Sequence, residues 1–293
     1  MKAEALVSDI QRCSFDDGPG IRTTVFFKGC NLHCPWCHNP ETIPRSRVLL
    51  YAQDRCVHCG ICAIKCPEKL EMPLSGEVSC SGCRGCVCPE GALRVSGRTM
   101  TAEQICDVII QDRDFYASSG GGVTLSGGEP LLQWEICLQI ADFCHKNGIH
   151  VLLDTAGCAD AAVFDSVAEA VDEFYFDFKL PPRLYGSVCG GNFERVLRNL
   201  ERLISGGRNY TLRVPLIPGY SAEPENARVM AEYAAKIGVK KVHLLPFNPL
   251  AQSKYSQMGK SYKFKGESFM DKSRLEALHA IWQEQIADTS VKE

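Results

Sequence analysis

The sequence predicts an α/β protein: a partial (β/α)6 TIM-like barrel with a small cysteine-rich module inserted near its beginning. Two observations lead to this fold class. Short apolar strands alternate with helical patterns about six times, which implies parallel strands joined by crossover helices. Eight of the 17 cysteines lie between Cys56 and Cys88, where long periodic elements are missing. Six strand–helix units are fewer than the eight of a closed barrel.

The first two predicted strands precede the module, and the second of them ends at a cysteine-containing loop. An α/β barrel places its chemistry at such a strand-to-loop junction. The composition changes near Pro44 and changes back near Gly97. We therefore expect one discontinuous barrel domain made of residues 1–48 and 98–293, interrupted by an insert at 49–97.

The elements after the insert follow from periodicity and from their end signals. Thr101 is a favoured N-cap and predicts the start of a helix. Leu132, Ile136 and Ile140 recur at the helical period, and Asn147-Gly148 predicts the end of that helix. The predicted strands are 6–10, 23–27, 123–125, 149–153, 174–180, 210–216 and 241–245, and the predicted helices are 101–116, 132–146, 161–171, 192–205, 223–237 and 276–287.

Composition and charge exclude several classes of function. The 293 residues are 45% hydrophobic and carry a formal net charge of -3, with acidic and basic residues intermixed. No dense run of lysine and arginine suggests nucleic acid or an anionic membrane surface. Residues 1–10 lack the apolar region of a signal peptide, and no apolar stretch is long enough to cross a bilayer. We expect a cytoplasmic monomer without disulfide bonds.

The most informative stretch is the loop 28–40, which carries Cys30, Cys34 and Cys37 with the spacing C-x3-C-x2-C. A closed structural metal site needs four ligands, whereas three thiolates leave one position open. On an iron–sulfur cube, three cysteines hold three irons and leave the fourth to a small molecule. The alternative is a zinc knuckle with His33 or His38 as the fourth ligand.

This loop and its flanks resemble the radical S-adenosylmethionine superfamily, and within it the activating enzymes of glycyl radical enzymes. The resemblance is carried by the runs 10–12, 14–23 and 25–30 and by the Cys-His-Asn-Pro-Glu-Thr ending at 37–42. It implies a 4Fe-4S cluster on the three loop cysteines, which binds S-adenosylmethionine through its open iron. One electron would cleave the cofactor to methionine and a 5′-deoxyadenosyl radical. That radical would take a hydrogen from a backbone glycine of a partner, a glycyl radical enzyme.

The resemblance also implies which residues meet the cofactor. Ser126-Gly127-Gly128-Glu129 follows a strand and precedes a helix, and it matches the segment that receives the methionyl amine, with Glu129 able to accept a hydrogen bond from an ammonium. Its glycines allow the backbone to approach a ligand closely. Trp36 matches the position that contacts the adenine, although an ordinary core aromatic is the alternative.

Four further positions match the family pattern. Asp154 and Thr155 end a strand and would line the cofactor site. Arg213 would lie near the cofactor carboxylate and ribose. Asp17 would lie near the bound glycine loop of the partner enzyme. Asn248 stands where the family usually carries histidine. It keeps a donor and an acceptor but carries no proton at neutral pH, which argues against an acid–base role there.

The segment 174–179 alternates strictly, so Asp177 and Lys179 share one strand face while phenylalanines occupy the other. The phenylalanine face is expected to pack against helices, which turns the charged pair into the barrel. Buried charges are costly unless paired. We therefore count both residues as cofactor-binding candidates and Lys179 also as a catalytic candidate. A purely structural Asp–Lys ion pair is the alternative.

The insert contains two cysteine runs. Cys56, Cys59, Cys62 and Cys66 follow the spacing of bacterial ferredoxins, where the fourth cysteine ligates the other cluster. In the second run only one residue separates the last two cysteines where three are usual, which puts the completeness of that cluster in doubt. The expected ligand sets are Cys56, Cys59, Cys62 and Cys88 for one cluster and Cys80, Cys83, Cys86 and Cys66 for the other.

Three 4Fe-4S clusters would thus be present, and the insert would relay electrons to the first. Zinc ribbons and a purely structural insert remain alternatives. The resemblance further implies a flavodoxin or ferredoxin-type electron donor and a monovalent cation near Asp154 and Asp177. The stretch 251–270 is predicted to be a loop facing a protein partner. The remaining cysteines are expected to be small buried hydrophobes: Cys13, Cys106, Cys137, Cys144, Cys158 and Cys189.

Two other functions stay open at this point. A different radical enzyme, acting on a peptide or a small molecule, would keep the cysteine loop and the Ser126–Glu129 segment but would not need the run from Asp17 to Thr23. An iron–sulfur electron carrier would need only the insert, and would leave Asp177, Lys179 and Arg213 without a purpose.

Overall fold

Parallel strands form most of a nine-stranded sheet in the computed structural model, which describes residues 4–65 and 88–292. The strands are β1 (Glu4–Ser14), β2 (Arg22–Phe27), β3 (Val48–Tyr51), β4 (Leu93–Ser96), β5 (Arg98–Thr101), β6 (Gly122–Gly127), β7 (His150–Thr155), β8 (Glu173–Asp177), β9 (Tyr210–Leu216), β10 (Lys241–Pro246) and β11 (Asp288–Val291).

Helices connect these strands and cover the sheet. They are α1 (Ile61–Lys65), α2 (Ala102–Ile109), α3 (Arg113–Ser119), α4 (Trp134–Lys146), α5 (Ala161–Ala170), α6 (Pro182–Cys189), α7 (Phe193–Ser205), α8 (Pro224–Lys236), α9 (Gln252–Gln257) and α10 (Lys272–Gln283).

The strand order of the large sheet is β11-β10-β9-β8-β7-β6-β2-β1-β5. Strands β2 and β6 to β11 run parallel, whereas β1 is antiparallel to both of its neighbours. The predicted α/β class with a mostly parallel sheet is therefore confirmed. The six-unit partial barrel stays a prediction. The parallel part of the described sheet also contains a seventh strand, β11, which the sequence pattern did not indicate. Its Asp-Thr-Ser-Val sequence is short and polar, so it carries no strand signal.

Helix 101–116 begins as predicted but does not run straight. Thr101 and Gln104 form a reciprocal capping box, with bonds of 3.2 and 3.0 Å. The helix then breaks at the 3-10 turn Ile110–Asp112, and α3 follows. The break turns the buried Asp112 carboxylate towards the sheet, where it accepts hydrogen bonds from Arg12 and Thr23. This tertiary contact overrides the local helical pattern.

The core lies between the sheet and its helices. In the segment 174–179 the phenylalanines are buried at 0–1% exposure, and Asp177 and Lys179 lie on the opposite face. Five of the six remaining cysteines are buried as predicted. The interpretation of Cys13 was wrong: it is exposed, with a positive φ of 55°, where the pairing of β1 with β2 shifts register.

Strands β3 and β4 form a separate antiparallel pair at the two ends of the insert. Four of the predicted insert ligands, Cys66, Cys80, Cys83 and Cys86, lie outside the described residues, and the domain boundaries stay a prediction. None of the helices in the described part of the chain is long and apolar enough to span a bilayer.

Candidate active site at the carboxyl ends of the strands

Six neighbouring parallel strands, β2 and β6 to β10, end at one cavity of about 250 Å³. Residues of the cysteine loop line one side of it, and the strand ends line the other. The polar and aromatic lining residues are Cys30, Cys34, Trp36, Cys37, His38, Asn39, Thr42, Ser126, Asp154, Thr155, Asp177, Lys179, Arg213 and Phe247. Ligands of open α/β sheets bind at this edge because the loops that follow the strands converge there.

Backbone hydrogen bonds hold the cysteine loop in place. The N–H of Gly29 donates to Thr42 O at 2.7 Å, and the N–H of Cys30 donates to Ile43 O at 3.0 Å. Gly29 has a φ of 96°, a conformation that favours glycine. The loop is therefore fixed against the segment 39–43, and all three of its cysteines reach the cavity.

The three thiols differ in their electrostatic surroundings. Burial raises the pKa of Cys30 and that of Cys37 to about 12. A hydrogen bond with the Cys189 thiol lowers the pKa of Cys34. Iron and zinc bind the thiolate form of cysteine, so binding of a metal at this loop would have to displace the protons of these thiols.

The geometry does not support a zinc knuckle. His33 and His38 are both exposed. Within residues 4–65 and 88–292, no three His, Cys, Asp or Glu side chains are grouped as ligands of a single metal ion. A cube does not need such a group, because each cysteine binds a different iron atom.

The glycines after β6 form a tight joint with the cysteine loop. Gly128 donates its N–H to Phe27 O at 2.9 Å, and the next N–H, of Glu129, donates to Gly29 O at 2.8 Å. A Cβ on Gly128 would lie 2.2 Å from Gly29 O, and one on Gly127 would lie 2.3 Å from Phe27 N. Only glycine fits at these two positions.

Glu129 is not among the residues that line the cavity. Its side chain is fully buried and turned towards the end of β7, where it accepts from Thr155 Oγ1 at 2.6 Å and from Ala156 N–H at 3.0 Å. Burial raises the pKa of Glu129 to about 7. The carboxylate joins the loop after β6 to the end of β7, and contact with an ammonium stays a prediction.

Two acidic and two basic side chains meet on the floor of the cavity. Asp154 accepts from Ser126 Oγ at 2.8 Å and lies 3.3 Å from Arg213 Nη1. Lys179 Nζ lies 2.6 Å from Asp177 Oδ2. Burial raises the pKa of Asp154, against the opposing charge of Arg213. The ion pair between Asp177 and Lys179 thus exists and also lines the cavity, so the four charges form a neutral quartet.

Two polar atoms of this quartet lack a hydrogen bond in the described part of the chain. Asp177 Oδ1 and Arg213 Nε are buried, lie 3.7 Å apart, and have no hydrogen-bond partner among the described residues. Unsatisfied buried groups are costly, so they favour a ligand that supplies both donors and acceptors. An amino acid with an ammonium and a carboxylate, such as the methionyl part of S-adenosylmethionine, fits this donor set.

The remaining predicted residues lie around the cavity or away from it. Trp36 lines the cavity at 5% exposure, with its ring 5.7 Å from that of Tyr220. Asn248 does not line the cavity, and its Oδ1 caps the following turn by accepting from Leu250 N–H at 2.9 Å. Asp17 also lies outside it, where its carboxylate accepts from Thr24 Oγ1 at 2.7 Å.

The sequence patterns missed two contacts with the cysteine loop. The stretch 251–270 was predicted to be a loop facing a partner, but it contains α9, whose Lys254 donates to Asn39 Oδ1 of the cysteine loop and to Glu41 Oε1, 2.9 Å away, just after it. Helix α6 was also not predicted, and it brings Cys189 to within 3.6 Å of Cys34. The proline pair at 181–182 was the available signal for α6, because proline favours the first position of a helix.

Comparisons with known proteins agree with this geometry. The model of the radical SAM superfamily matches residues 80–231, and that of a 4Fe-4S single cluster domain matches residues 16–58, which contain the cysteine loop. The choline trimethylamine-lyase activating enzyme of Oleidesulfovibrio alaskensis is 37% identical over 96% of this chain and 95% of its own. The pyruvate formate-lyase 2-activating enzyme of Escherichia coli is 36% identical over 89% of this chain and 83% of its own.

Solved structures share the fold. A domain of a pyruvate-formate lyase-activating enzyme from Bacteroides vulgatus superposes with a TM-score of 0.50 at 25% identity, and covers 59% of this chain and all of that one. SuiB of Streptococcus suis, bound to its precursor peptide, gives a TM-score of 0.55 at 11% identity over 90% of this chain and 46% of its own.

Proposed function

Because this chain belongs to the radical SAM superfamily, among the activating enzymes of glycyl radical enzymes, we propose that it generates the glycyl radical of a partner enzyme. The observation that carries the proposal is a cavity in which three loop cysteines face a neutral quartet of partly buried charges. Its cofactors are S-adenosylmethionine and a 4Fe-4S cluster. When bound, these two groups supply a one-electron cleavage of a C–S bond and, through it, the abstraction of a hydrogen atom.

The residues of this chain bind and orient the cluster and S-adenosylmethionine. Cys30, Cys34 and Cys37 would hold the cluster as its three protein ligands. Asp154 and Asp177 are the acceptors for the ammonium and ribose hydroxyls of the cofactor. Arg213 is the donor for its carboxylate and ribose.

The division of roles is supported by Asp177 Oδ1 and Arg213 Nε, neither of which has a hydrogen-bond partner among the described residues. Ser126, Gly127, Gly128 and Thr155 contribute backbone and hydroxyl groups at the cavity wall. Lys179 Nζ donates to Asp177 Oδ2 at 2.6 Å and thereby holds this side chain in place.

Exclusion of water is the second task of the protein. Trp36 covers one side of the cavity and is the proposed contact of the adenine, supported by its position in the lining. Asp17 is proposed to meet the glycine loop of the partner. It lies in the turn between β1 and β2, which the family sequence pattern singles out, rather than in the cofactor cavity. Glu129 and Asn248 shape the loops around the site through their hydrogen bonds to the end of β7 and to the turn after β10.

We propose two auxiliary clusters in the insert, which relay electrons to the first cluster. Strands β3 and β4 pair with Tyr51 opposite Leu93. Cys56 follows the first strand of this pair and Cys88 precedes the second, so both leave the same end of the hairpin. This arrangement favours Cys56, Cys59, Cys62 and Cys88 as ligands of one cluster. The other would use Cys80, Cys83, Cys86 and Cys66.

The remaining partners are also proposals. A flavodoxin or a ferredoxin-type protein would supply the electron, and the chain would act as a cytoplasmic monomer. A monovalent cation near Asp154 and Asp177 has to compete with Arg213 and Lys179, which already neutralise these carboxylates. Potassium dependence of cofactor cleavage is the direct test of that site.

Anaerobic reconstitution tests the proposal. About twelve irons per chain are expected for three cubes, and zinc in their place would contradict it. Cys34→Ala should abolish cleavage of S-adenosylmethionine while about eight irons remain in the insert, and Cys144→Ala serves as the buried-cysteine control. If cleavage survives in Cys34→Ala, the assigned site is wrong.

A second variant separates this function from the other two. Asp17→Asn should retain cofactor cleavage but lose formation of the glycyl radical in the partner, read by electron paramagnetic resonance. A peptide- or small-molecule-modifying enzyme would not need Asp17, and an electron carrier would not cleave the cofactor at all.

A further inference from the structure

Helix α6 ends directly against the cysteine loop. Its last residue, Cys189, is fully buried, and its Sγ lies 3.6 Å from Cys34 Sγ. The carbonyl oxygen of the same residue accepts a hydrogen bond of 2.7 Å from the N–H of His33. Side chain and backbone together fix Cys189 beside the ligand cysteine.

The packing around this contact leaves little freedom. The chain leaves α6 through Gly190, whose φ is 75°, and then Gly191. A Cβ on Gly191 would lie 2.3 Å from the side chain of Leu32 and 2.9 Å from the ring of Tyr185. The end of α6 and the cysteine loop therefore approach each other so closely that the distance between the two thiols is set by the fold.

Cys189 does not face the cavity. Cys30, Cys34 and Cys37 all line it, whereas Cys189 is absent from the lining and contacts Cys34 instead. A fourth ligand of the cluster would have to reach the open iron from the cavity side. The position of Cys189 is that of a neighbour of the ligand sulfur.

We propose that the Cys189 thiol donates a hydrogen bond to the iron-bound Cys34 thiolate and thereby raises the reduction potential of the cluster. The inference rests on the proposed function, since it requires a cluster on Cys34. A thiolate bound to iron has no proton, so only Cys189 can be the donor across this contact. Both thiols are buried from bulk solvent, at 9% exposure for Cys34 and 0% for Cys189.

The direction of the effect follows from the charge on sulfur. Reduction adds an electron to the cluster and increases the negative charge on its thiolate ligands. A hydrogen bond to Cys34 therefore becomes stronger in the reduced state and favours reduction, and hydrogen bonds to the sulfurs are a recognised determinant of iron–sulfur potentials. Cys189 is a positioning residue in this sense, because it acts through Cys34 and does not touch the substrate.

A redox titration of the reconstituted full-length protein tests this role. The cluster with the open iron is identified by the change of its electron paramagnetic resonance signal on addition of S-adenosylmethionine. In Cys189→Ala its midpoint should move to a more negative potential, with a roughly threefold to tenfold lower ratio of reduced to oxidised cluster at a fixed potential. Cys189→Ser keeps a donor and should stay close to the wild type.

Cys144→Ala is the matched control. Cys144 is also a fully buried cysteine on a helix, α4, but it lies away from the cavity, so its removal should leave the midpoint unchanged. A midpoint in Cys189→Ala equal to that of the wild type, at equal iron content, overturns the inference while leaving the proposed function intact. A wild-type protein that holds no cluster would instead refute the proposed function.

An infrared measurement keeps the inference testable if Cys189→Ala loses iron. The difference spectrum of the cluster-loaded wild type minus Cys189→Ser should contain an S–H stretching band, because the proposed donor is protonated. The absence of such a band would show that Cys189 is a thiolate or a disulfide in the loaded protein, and would overturn the assignment.

Discussion

Substitution of Gly128 by alanine tests how tightly the site is built. This glycine lies at the joint between the loop after β6 and the cysteine loop, where its N–H donates to Phe27 O. A Cβ there would lie 2.2 Å from Gly29 O and 3.0 Å from Thr42 O. Both obstacles are backbone atoms, which a side-chain rotation does not relieve.

The required displacement follows from these distances. An ordinary contact begins at 3.4 Å, so the Gly29 carbonyl has to move by about 1 Å. That carbonyl also accepts the N–H of Glu129 at 2.8 Å and directly precedes Cys30. Because misplacement by about 1 Å can cost on the order of 100-fold in rate, we expect a loss of about that size in cofactor cleavage. The strain should destabilise the fold by about 1–3 kcal/mol.

The assay is anaerobic formation of 5′-deoxyadenosine and methionine with a chemical reductant, together with iron content and urea unfolding. Gly186→Ala is the control, because the nearest atom to a Cβ there lies at 3.6 Å and its rate should be unchanged. A Gly128→Ala protein with full iron content and a rate within about threefold of the wild type would refute the argument that this joint positions Cys30.

Three further predictions concern buried charges. Burial raises the pKa of Glu129 to about 7, so its contribution to stability is complete below the unfolded pKa of 4.5. This contribution falls by up to about 3 kcal/mol as the pH rises from there through 7. Glu129→Gln should remove this decline, measured by urea unfolding at several pH values. The Arg12 guanidinium lowers the pKa of Asp112, so this pair stabilises the fold above the pKa of the unfolded state. Its contribution is lost as the pH falls through the pKa of the folded state. Asp112→Asn should cost about 1–3 kcal/mol at neutral pH, and an unchanged acid-unfolding midpoint would contradict this. Arg213→Met should cost about 3 kcal/mol of stability and raise the KM for S-adenosylmethionine, because it leaves two partly buried carboxylates without their shared cation. The exposed Arg198→Met is the control and should change stability by less than about 0.5 kcal/mol.

Much of the site could be predicted because it is written in local patterns. The three cysteines lie within a stretch of eight residues, so one loop carries all of them to the same cavity. The alternation of 174–179 fixed which face carries Asp177 and Lys179. Parallel strands bring their carboxyl ends to one edge, which also gathers Asp154 and Arg213.

Other features depend on contacts that no local pattern encodes. Two of the three hydrogen-bond donors to the Glu129 side chain, Thr155 and Ala156, lie at the end of β7 and just after it, 26 and 27 residues away, and they turn the side chain away from the cavity. At the break after α2, Asp112 pairs with Arg12 of β1, which is about 100 residues earlier in the chain. In both cases a distant polar partner outweighs the local preference, since a buried group must be satisfied wherever a partner exists.

The sequence by itself determined the α/β class, the cysteine loop and the order of the strand-end residues, because periodicity and spacing act over a few residues. Only the tertiary structure decided that the sulfur of Cys189 contacts that of Cys34, and how the cavity is closed. Cys189 is 155 residues away along the chain, and α6 reaches the loop through two glycines that allow close packing. Proximity of that kind is a property of the packed chain, where steric fit selects the neighbours.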